Sequence, residues 1–333
     1  YIMAVINGEG EVTSFILKSS GREFAAEPMN HFLLYKDVPR YFDAWDIDSI
    51  YENEPVELEK AAKITLVNAG PYKAAIRLEK QIGNSSLIQI VSLSAGSRRL
   101  EFDTTVEWRE LHRLLKVGFP VRVHTEEAIH ETQFGYVKRP AHRSRVYDKD
   151  RFEVCNHRYT AMRDGSHGAA VLNNCKYGVS ALGNEIRLTL LRAEASPEMR
   201  GDNRSQRFVY AFTAWNGTFM DSSVVREGYE LNAPLIIRAG GGNTESFFGV
   251  DAENIILDTV KPAGDQSCDI ILRLYESKHA DCECALRWNL PVKRASITNM
   301  AEDRNADIPL AIVECRTVLS FRPFEVKTIR LWM

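Results

Sequence analysis

Apolar and polar residues alternate with a period of two along most of this 333-residue chain. A chain patterned in this way folds as strands, because only a strand sends successive side chains to opposite faces. Leu100, Phe102, Thr104, Val106 and Trp108 alternate with Glu101, Asp103, Thr105, Glu107 and Arg109. Leu115, Val117, Phe119, Val121 and Val123 repeat the pattern against Lys116, Gly118, Pro120, Arg122 and His124. Each run predicts one face in a core and one in water. Pro120 has no N–H to give to a ladder and points to an edge or a bulge. Ile186, Leu188 and Leu190 predict another strand face, as do Phe208, Tyr210 and Phe212, and then Ile270, Leu272 and Leu274. Turn pairs such as Asn7-Gly8, Gly83-Asn84, Asp164-Gly165 and Gly183-Asn184 separate the runs. No long stretch carries a helical period; Glu126 to Ile129 has room for one turn. Strand after strand without intervening helices excludes a doubly wound α/β sheet and leaves antiparallel sandwiches or barrels.

Lys plus Arg number 42 and Asp plus Glu 45, a formal net charge of −3. That balance excludes a basic nucleic-acid binder and a polybasic membrane-surface protein. The longest apolar runs are too short for a membrane-spanning helix. Length predicts about two domains, or a large β domain with a smaller companion. The boundary falls in Ala239-Gly240-Gly241-Gly242-Asn243, read as a surface loop because no P-loop Lys-Ser/Thr follows the glycines. The start, Tyr1-Ile2-Met3-Ala4, has no basic stretch leading into a long apolar one, so no signal peptide is expected there. Without an initiator Met, it reads as a piece of a longer protein. Six scattered cysteines do not make a disulfide scaffold. Cys282 and Cys284 read as alternate residues of one strand rather than zinc ligands, so reduced thiols and a cytoplasmic setting are expected.

Three places carry candidate chemistry. Asp43, Asp46 and Asp48 surround Trp45, which reads either as a sugar-stacking cluster or as a solvated turn with Trp45 anchored in the core. His157 has the type of an acid or base, but no Ser, Cys or Asp stands at a diagnostic spacing from it. HExxH, GxSxG and CxxC are absent from the sequence. From Ala170 to Gly178 an apolar strand runs into a polar tip, Asn173-Asn174-Cys175-Lys176-Tyr177, whose side chains suit hydroxyl recognition.

An ordered set of segments then resembles the C-terminal region of α-mannosidases of glycoside hydrolase family 38, in particular the bacterial and cytosolic type. The set begins with Ser20-Gly21-Arg22-Glu23 and Tyr41-Phe42-Asp43-Ala44-Trp45-Asp46-Ile47-Asp48. It continues with Leu114 to Val121, Gly135 to Pro140, Phe152-Glu153-Val154, Val171 to Gly178 and Leu188 to Arg192. It ends with Val260-Lys261-Pro262-Ala263, Leu272 to Glu276 and Phe324 to Leu331.

The resemblance implies an all-β fold: a large antiparallel super-β-sandwich of galactose-mutarotase-like type over 1–240, and a smaller β-sandwich over 245–333. It implies that this chain is a non-catalytic C-terminal β-region. The zinc and the carboxylate pair of a retaining mechanism then belong to an N-terminal catalytic domain, none of whose residues is matched here. No catalytic residue, metal ligand or cofactor is therefore expected in this chain. The expected role is to brace that catalytic domain and shape its carbohydrate cleft. The expected partners are the protein's own N-terminal catalytic domain and an α-mannoside, with no nucleic acid and no membrane; a homo-oligomer is left open. Lys176, Tyr177 and Arg192 are placed on or near the facing surface, as cleft or domain-interface residues. Arg192 suits that place because its planar fork reads hydroxyls or a carboxylate. The chain departs from the family pattern at Asn174, where an Asp is usual, and over Arg143-Ser144-Arg145-Val146-Tyr147-Asp148. Two alternatives stand beside this reading: an autonomous carbohydrate-binding module with Trp45 or Trp215 as platform, and a structural dimerisation or interface domain.

Overall fold

The computed structural model describes residues 1–241, 245–303 and 307–333. Gly242 and Asn243 of the expected boundary lie outside them. The described chain is all-β in its framework. Its strands form five sheets, and its one α-helix among the described residues is Val224–Asn232. Two compact units emerge: Tyr1–Glu131 with Val137–Pro234, and Thr132–Tyr136 with Leu235–Met333.

In the first unit two large antiparallel sheets enclose one core. The nine-stranded sheet runs in the order Gly135–Pro140, Glu127–Thr132, Tyr159–Arg163, His167–Asn173, Ser205–Asn216, Arg99–Glu107, Ser85–Ser94, Lys73–Ile82 and Ala62–Ala69. The six-stranded sheet runs Val154–Cys155, Gly178–Leu182, Glu185–Arg192, Arg113–Pro120, His31–Lys36 and Pro55–Val56. Phe119 of the smaller sheet stacks on Phe212 of the larger, with ring centroids 5.6 Å apart. Burying such rings contributes most of the favourable free energy of a sandwich core. A closed polar ring crosses the same core. Asn30 Nδ2 donates to Gln89 Oε1 at 2.8 Å, Gln89 Nε2 donates to Tyr210 Oη at 2.8 Å, and Tyr210 Oη donates back to Asn30 Oδ1 at 2.7 Å. With every member paired, the ring pins register without leaving an orphan group.

The alternation holds where one face meets water. In Arg99–Glu107, Leu100, Phe102, Thr104 and Val106 are buried while Glu107 is exposed. It fails for Arg113–Pro120, where every residue from Leu114 to Pro120 is buried. The cause is a second layer on the outer face, where Tyr51 of the short 3-10 turn Ser49–Asn53 packs with Tyr35, Leu114 and Phe152. Pro120 marks neither an edge nor a bulge. It is the last residue of an interior strand, and the register shift falls between Leu115 and Lys116. Glu126 to Ile129 does not form a helical turn either, because Glu127–Thr132 pairs as a strand with Tyr159–Arg163. The helix Val224–Asn232 was not legible from its period; it buries only Val224, Val225 and Gly228. Ion pairs from Glu227 and Glu230 to Arg99, at 2.5 and 3.3 Å, hold it instead.

The second unit has a five-stranded sheet, Ile255–Pro262, Ile270–Glu276, Val326–Trp332, Arg294–Thr298 and Ile308–Leu310, and a three-stranded one, Phe248–Val250, Cys282–Trp288 and Arg316–Phe321. Leu272, Leu274, Leu286, Trp288, Phe321 and Ile329 fill the core between them. Cys282 and Cys284 share one face of one strand, as alternate residues must. Burial pushes the Cys284 thiol up to about 12.

Covering both faces of the Arg113–Pro120 strand buries a charge. Lys116 is wholly buried and ion-paired to Glu153, with further hydrogen bonds to Ser180 Oγ at 3.0 Å and Tyr51 Oη at 3.3 Å. Thr189 Oγ1 donates to the other Glu153 oxygen. Burial lowers the Lys116 ammonium, and Glu153 opposes that shift. Breaking such a pair strands one charge and costs roughly 3–5 kcal/mol, whereas replacing both partners is often near neutral. Lys116→Met alone is therefore expected to lose stability in that range. The Lys116→Met/Glu153→Gln double variant is expected to recover most of it, as read by urea unfolding.

Candidate functional site

Arg192 closes the Glu185–Arg192 strand, opposite Leu114. Its guanidinium reaches out to the segment that leaves the His31–Lys36 strand, which lies two strands away across Arg113–Pro120. Arg192 Nε donates to Asp37 Oδ2 at 2.7 Å, and Nη2 donates to the carbonyls of Asp46 at 2.6 Å and Asp43 at 3.2 Å. Nη1 lies 3.5 Å from the Ala44 carbonyl. One fork thus fastens three carbonyls and one carboxylate, a task the point charge of lysine cannot perform. Burial pushes the Asp37 carboxyl up, and Arg192 offsets only part of that.

Asp43 fastens the same loop from the other side. Its Oδ2 accepts from the backbone N–H of Ala195 at 2.8 Å and of Ser196 at 3.0 Å, and it faces His112 Nε2 at 3.0 Å. Burial pushes this carboxyl up, but the Ala195 amide, His112 and the Ser196 amide outweigh it and hold the group below its ordinary value. Inside the loop, the N–H groups of Trp45 and Asp46 both donate to the Phe42 carbonyl, at 2.7 and 2.9 Å. The Arg40 N–H donates to Asp48 Oδ2 at 2.9 Å. Phe42 itself sits at φ +52°, a left-handed conformation uncommon for a bulky residue. The loop is thus hydrogen-bonded from both sides and within itself, yet Trp45 is 75% exposed. The core-anchor reading of Trp45 is incorrect: the Asp43 and Asp48 carboxylates accept from backbone N–H groups, Asp46 is exposed, and the Trp45 ring points out. Trp215 shows the reverse. It is buried, its Nε1 donates to the Thr218 carbonyl at 2.9 Å, and Gly168 makes room for the ring, so it offers no platform.

Lys176 and Tyr177 lie together on the tip between His167–Asn173 and Gly178–Leu182. Asn173 Oδ1 accepts the Lys176 N–H at 2.8 Å, and Asn156 donates through both its nitrogens to the Tyr177 carbonyl, at 2.8 and 3.1 Å. Lys176 Nζ stands 4.7 Å over the Phe208 ring, and burial lowers its ammonium. The half-exposed Tyr177 ring meets His157 edge-on at 6.0 Å. Asn174 pins the tip to the adjacent strand: its Oδ1 accepts the Val209 N–H at 3.0 Å and its N–H donates to the Val209 carbonyl at 3.1 Å. Arg192 shares none of these partners; its contacts are with the Asp37–Asp46 segment.

A further constellation has no sequence signature. Glu185 Oε2 accepts from Arg187 at 2.6 Å, Glu185 Oε1 lies 3.1 Å from His31 Nε2, and Arg187 Nη1 lies 3.4 Å from Tyr35 Oη. Burial pushes the Glu185 carboxyl up, but hydrogen bonds from His31 and Arg187 hold it below its ordinary value. Strand register assembles the group, since Gly118 pairs with Arg187 on one side and with His31 on the other. A Cβ at Gly118 would stand 2.3 Å from the His31 ring and 2.5 Å from Glu185, so only glycine fits. Beside the group runs an open groove of about 490 Å³, lined by Glu9, Glu11, Glu27, His31, Tyr35 and Lys80 among others. Among the described residues no group of three or more His, Cys, Asp or Glu side chains is placed to hold a metal ion.

Two outcomes follow. Gly118→Ala forces His31 and Glu185 apart and is expected to lower the unfolding midpoint, with a destabilisation of about 1–3 kcal/mol from overpacking. Asp43 has its pKa depressed on folding, so its contribution is full above the unfolded value near 4 and is lost as pH falls through the folded value. Asp43→Asn is accordingly expected to be less stable than the parent at pH 7, by about 1–2 kcal/mol. In urea titrations run at several pH values, the gap between the two proteins closes below about pH 4.

Comparison with known proteins bears on what this framework belongs to. Residues 1–200 match the family described as glycosyl hydrolases family 38 C-terminal domain, and residues 254–329 match the family 38 C-terminal beta sandwich domain. Alpha-mannosidase 2C1 of Mus musculus is 37% identical over 332 residues, which is 97% of this chain and 32% of that protein. Alpha-mannosidase G of Dictyostelium discoideum is 31% identical over 99% of this chain and 32% of its own length. The chain thus spans about a third of the curated relatives it matches. The crystal structure of an alpha-mannosidase from Enterococcus faecalis V583 superposes on 99% of this chain and 41% of that one, with TM-score 0.80 at 18% identity, a likeness of fold. On the strength of both family matches and of these relatives, the chain belongs to glycoside hydrolase family 38, as its C-terminal β-region.

Proposed function

We propose that this chain serves an α-mannosidase as a non-catalytic scaffold, bracing a catalytic domain carried elsewhere in the same polypeptide and shaping its carbohydrate cleft. The observation that carries the reading is how its carboxylates are used. Asp37, Asp43, Asp48, Glu153 and Glu185 each hold a strand end or a loop through backbone, hydroxyl or cationic partners. A glycosidase pair must instead leave two carboxyls free to face a sugar across a gap of a few ångströms. In this reading the zinc and the acid–base chemistry of α-mannoside hydrolysis belong to the catalytic domain. This chain supplies rigid surfaces, among them the Lys176–Tyr177 tip and the Arg192 loop. The names of the relatives support the substrate class, and the chain's span of about a third of their length supports the division of labour.

A second reading, an autonomous carbohydrate-binding module, draws on the exposed Trp45 ring beside Asp46 and Asp48. The two part in a simple assay. The purified 333-residue chain is expected to release no mannose from an aryl α-mannoside and to show no saturable mannoside binding by calorimetry. The full-length protein is expected to turn the substrate over. Mannose release by the chain alone overturns the scaffold reading, and saturable binding moves the case to the module.

A further inference from the structure

We propose that the turn between the strands Ile2–Ile6 and Val12–Leu17 is a self-modifying site, where the backbone nitrogen of Gly8 attacks the Asn7 carboxamide and converts Asn7 to aspartate and isoaspartate without an enzyme. The sequence holds two Asn-Gly pairs, Asn7-Gly8 and Asn216-Gly217, and the fold treats them in opposite ways. Glycine is the follower this chemistry favours, because no side chain hinders its nitrogen.

At Asn7 the parts of an acyl-transfer site stand in place. Asn7 Oδ1 accepts from the backbone N–H of Glu9 at 3.0 Å and of Glu11 at 2.9 Å. Two donors at such distances form an oxyanion hole, which stabilises the negative charge that grows on Oδ1 during attack. The bond to Glu9 also folds the carboxamide back over Gly8, so the attacking nitrogen and the carbon it attacks belong to one closed turn. Asn7 Nδ2, the leaving nitrogen, donates to Glu11 Oε2 at 3.0 Å. Gly8 is exposed to water, and its N–H has no hydrogen-bond partner among the described residues. Asn216 lacks this arrangement. The Gly217 N–H is engaged, donating to the Ser166 carbonyl at 2.7 Å. Asn216 Oδ1 faces a single hydroxyl, Ser20 Oγ at 3.2 Å, in place of two amides.

The reaction balances with water alone. Gly8 N gives its proton to water and bonds to Asn7 Cγ. The Cγ–Nδ2 bond breaks, and ammonia leaves with a proton that Glu11 relays from water. A second water opens the five-membered imide at either carbonyl, giving aspartate or isoaspartate. In sum, asparagine and water become an acid and ammonia. The new carboxylate stands where Nδ2 met Glu11, so a hydrogen bond becomes a like-charge contact. Isoaspartate also adds one backbone carbon to a turn that sets Ile6 opposite Val12.

The test is peptide mapping of the full-length protein after long incubation at neutral pH. Mass spectrometry reads the gain of one mass unit, and labelling by an isoaspartyl methyltransferase reads the isomer. In the native protein Asn7 is expected to convert at least tenfold faster than Asn216. In urea the two rates are expected to converge, since both sites are then bare Asn-Gly pairs, and Asn7 is expected to convert no faster there than in the folded chain. Gly8→Ala has open space for its Cβ and is expected to slow conversion severalfold with the circular dichroism unchanged. Asn7 left intact in the native protein while it converts in urea overturns the proposal, as does native Asn216 converting as fast as Asn7.

Discussion

The strand Arg113–Pro120 of the six-stranded sheet is covered on both faces, and much else follows from that. Its inner face meets the nine-stranded sheet through Phe119 and its neighbours. Its outer face is roofed by Tyr51 and Phe152. A strand with one wet face can send any charge to solvent. A strand roofed on both sides must satisfy its charges internally or exclude them. Lys116 and Glu153 answer by pairing under the roof, and Ser180, Thr189 and Tyr51 take up their remaining hydrogen-bonding capacity. Further along the same face, Glu185 answers with His31 and Arg187 over the gap left by Gly118. Both clusters tie strands of the six-stranded sheet to one another through paired charges and the hydrogen bonds to them.

The same economy governs the end of that sheet. The chain that leaves the His31–Lys36 strand must cross the end of the sheet before Tyr51 can roof it. Over that stretch, Arg40 to Asp48, it has no strand partner. Unpaired backbone carbonyls there need donors. Arg192, at the end of the strand Glu185–Arg192, supplies several at once because its fork is planar and multidentate. The functional suggestion for Arg192 and the structural fact therefore meet in one residue. Its guanidinium is bonded to the loop that carries Trp45 outward.

Much of the framework was legible in the sequence, because period two is a local property and survives whatever the strands later pack against. The strand around Phe102, the hairpin turns at Gly83-Asn84 and Gly183-Asn184, and the shared face of Cys282 and Cys284 all follow from neighbours within a few residues. Reading failed where the deciding partner is distant in sequence. Nothing near Lys116 announces that Tyr51 and Glu153 will enclose it. Nothing near Val224 announces that Arg99 will anchor a helix there. The pairing of Lys176 with Tyr177 on one tip was visible as adjacency. The separation of Arg192 from that tip was not, because it depends on which strand ends share an edge of the sheet. Trp45 misled in one of its two readings: aromatic rings are mostly packing residues, which favoured a core anchor, yet this ring is 75% exposed.

Charge also sets the order in which the Arg192 loop loosens as acid is added. Asp37 and Asp43 flank the same guanidinium and loop, yet their environments push them apart. Asp37 is raised by burial, with Arg192 offsetting only part; Asp43 is lowered, because two amides and His112 outweigh its burial. A raised carboxyl costs stability in its ionised form, and that cost recedes as pH falls through the folded value. A lowered one contributes stability that is present above its unfolded value and lost below its folded one. On acidification Asp37 therefore takes its proton first. The Arg192 fork then keeps its carbonyl partners on Asp43 and Asp46 while losing its charged one. The loop keeps its shape through that step, since the Ala195 and Ser196 amides still hold Asp43. Only when Asp43 is protonated in turn do both fastenings weaken together. Placing the two carboxyls on opposite sides of their ordinary value thus separates their protonations, so the two fastenings of the loop do not lose their charges together.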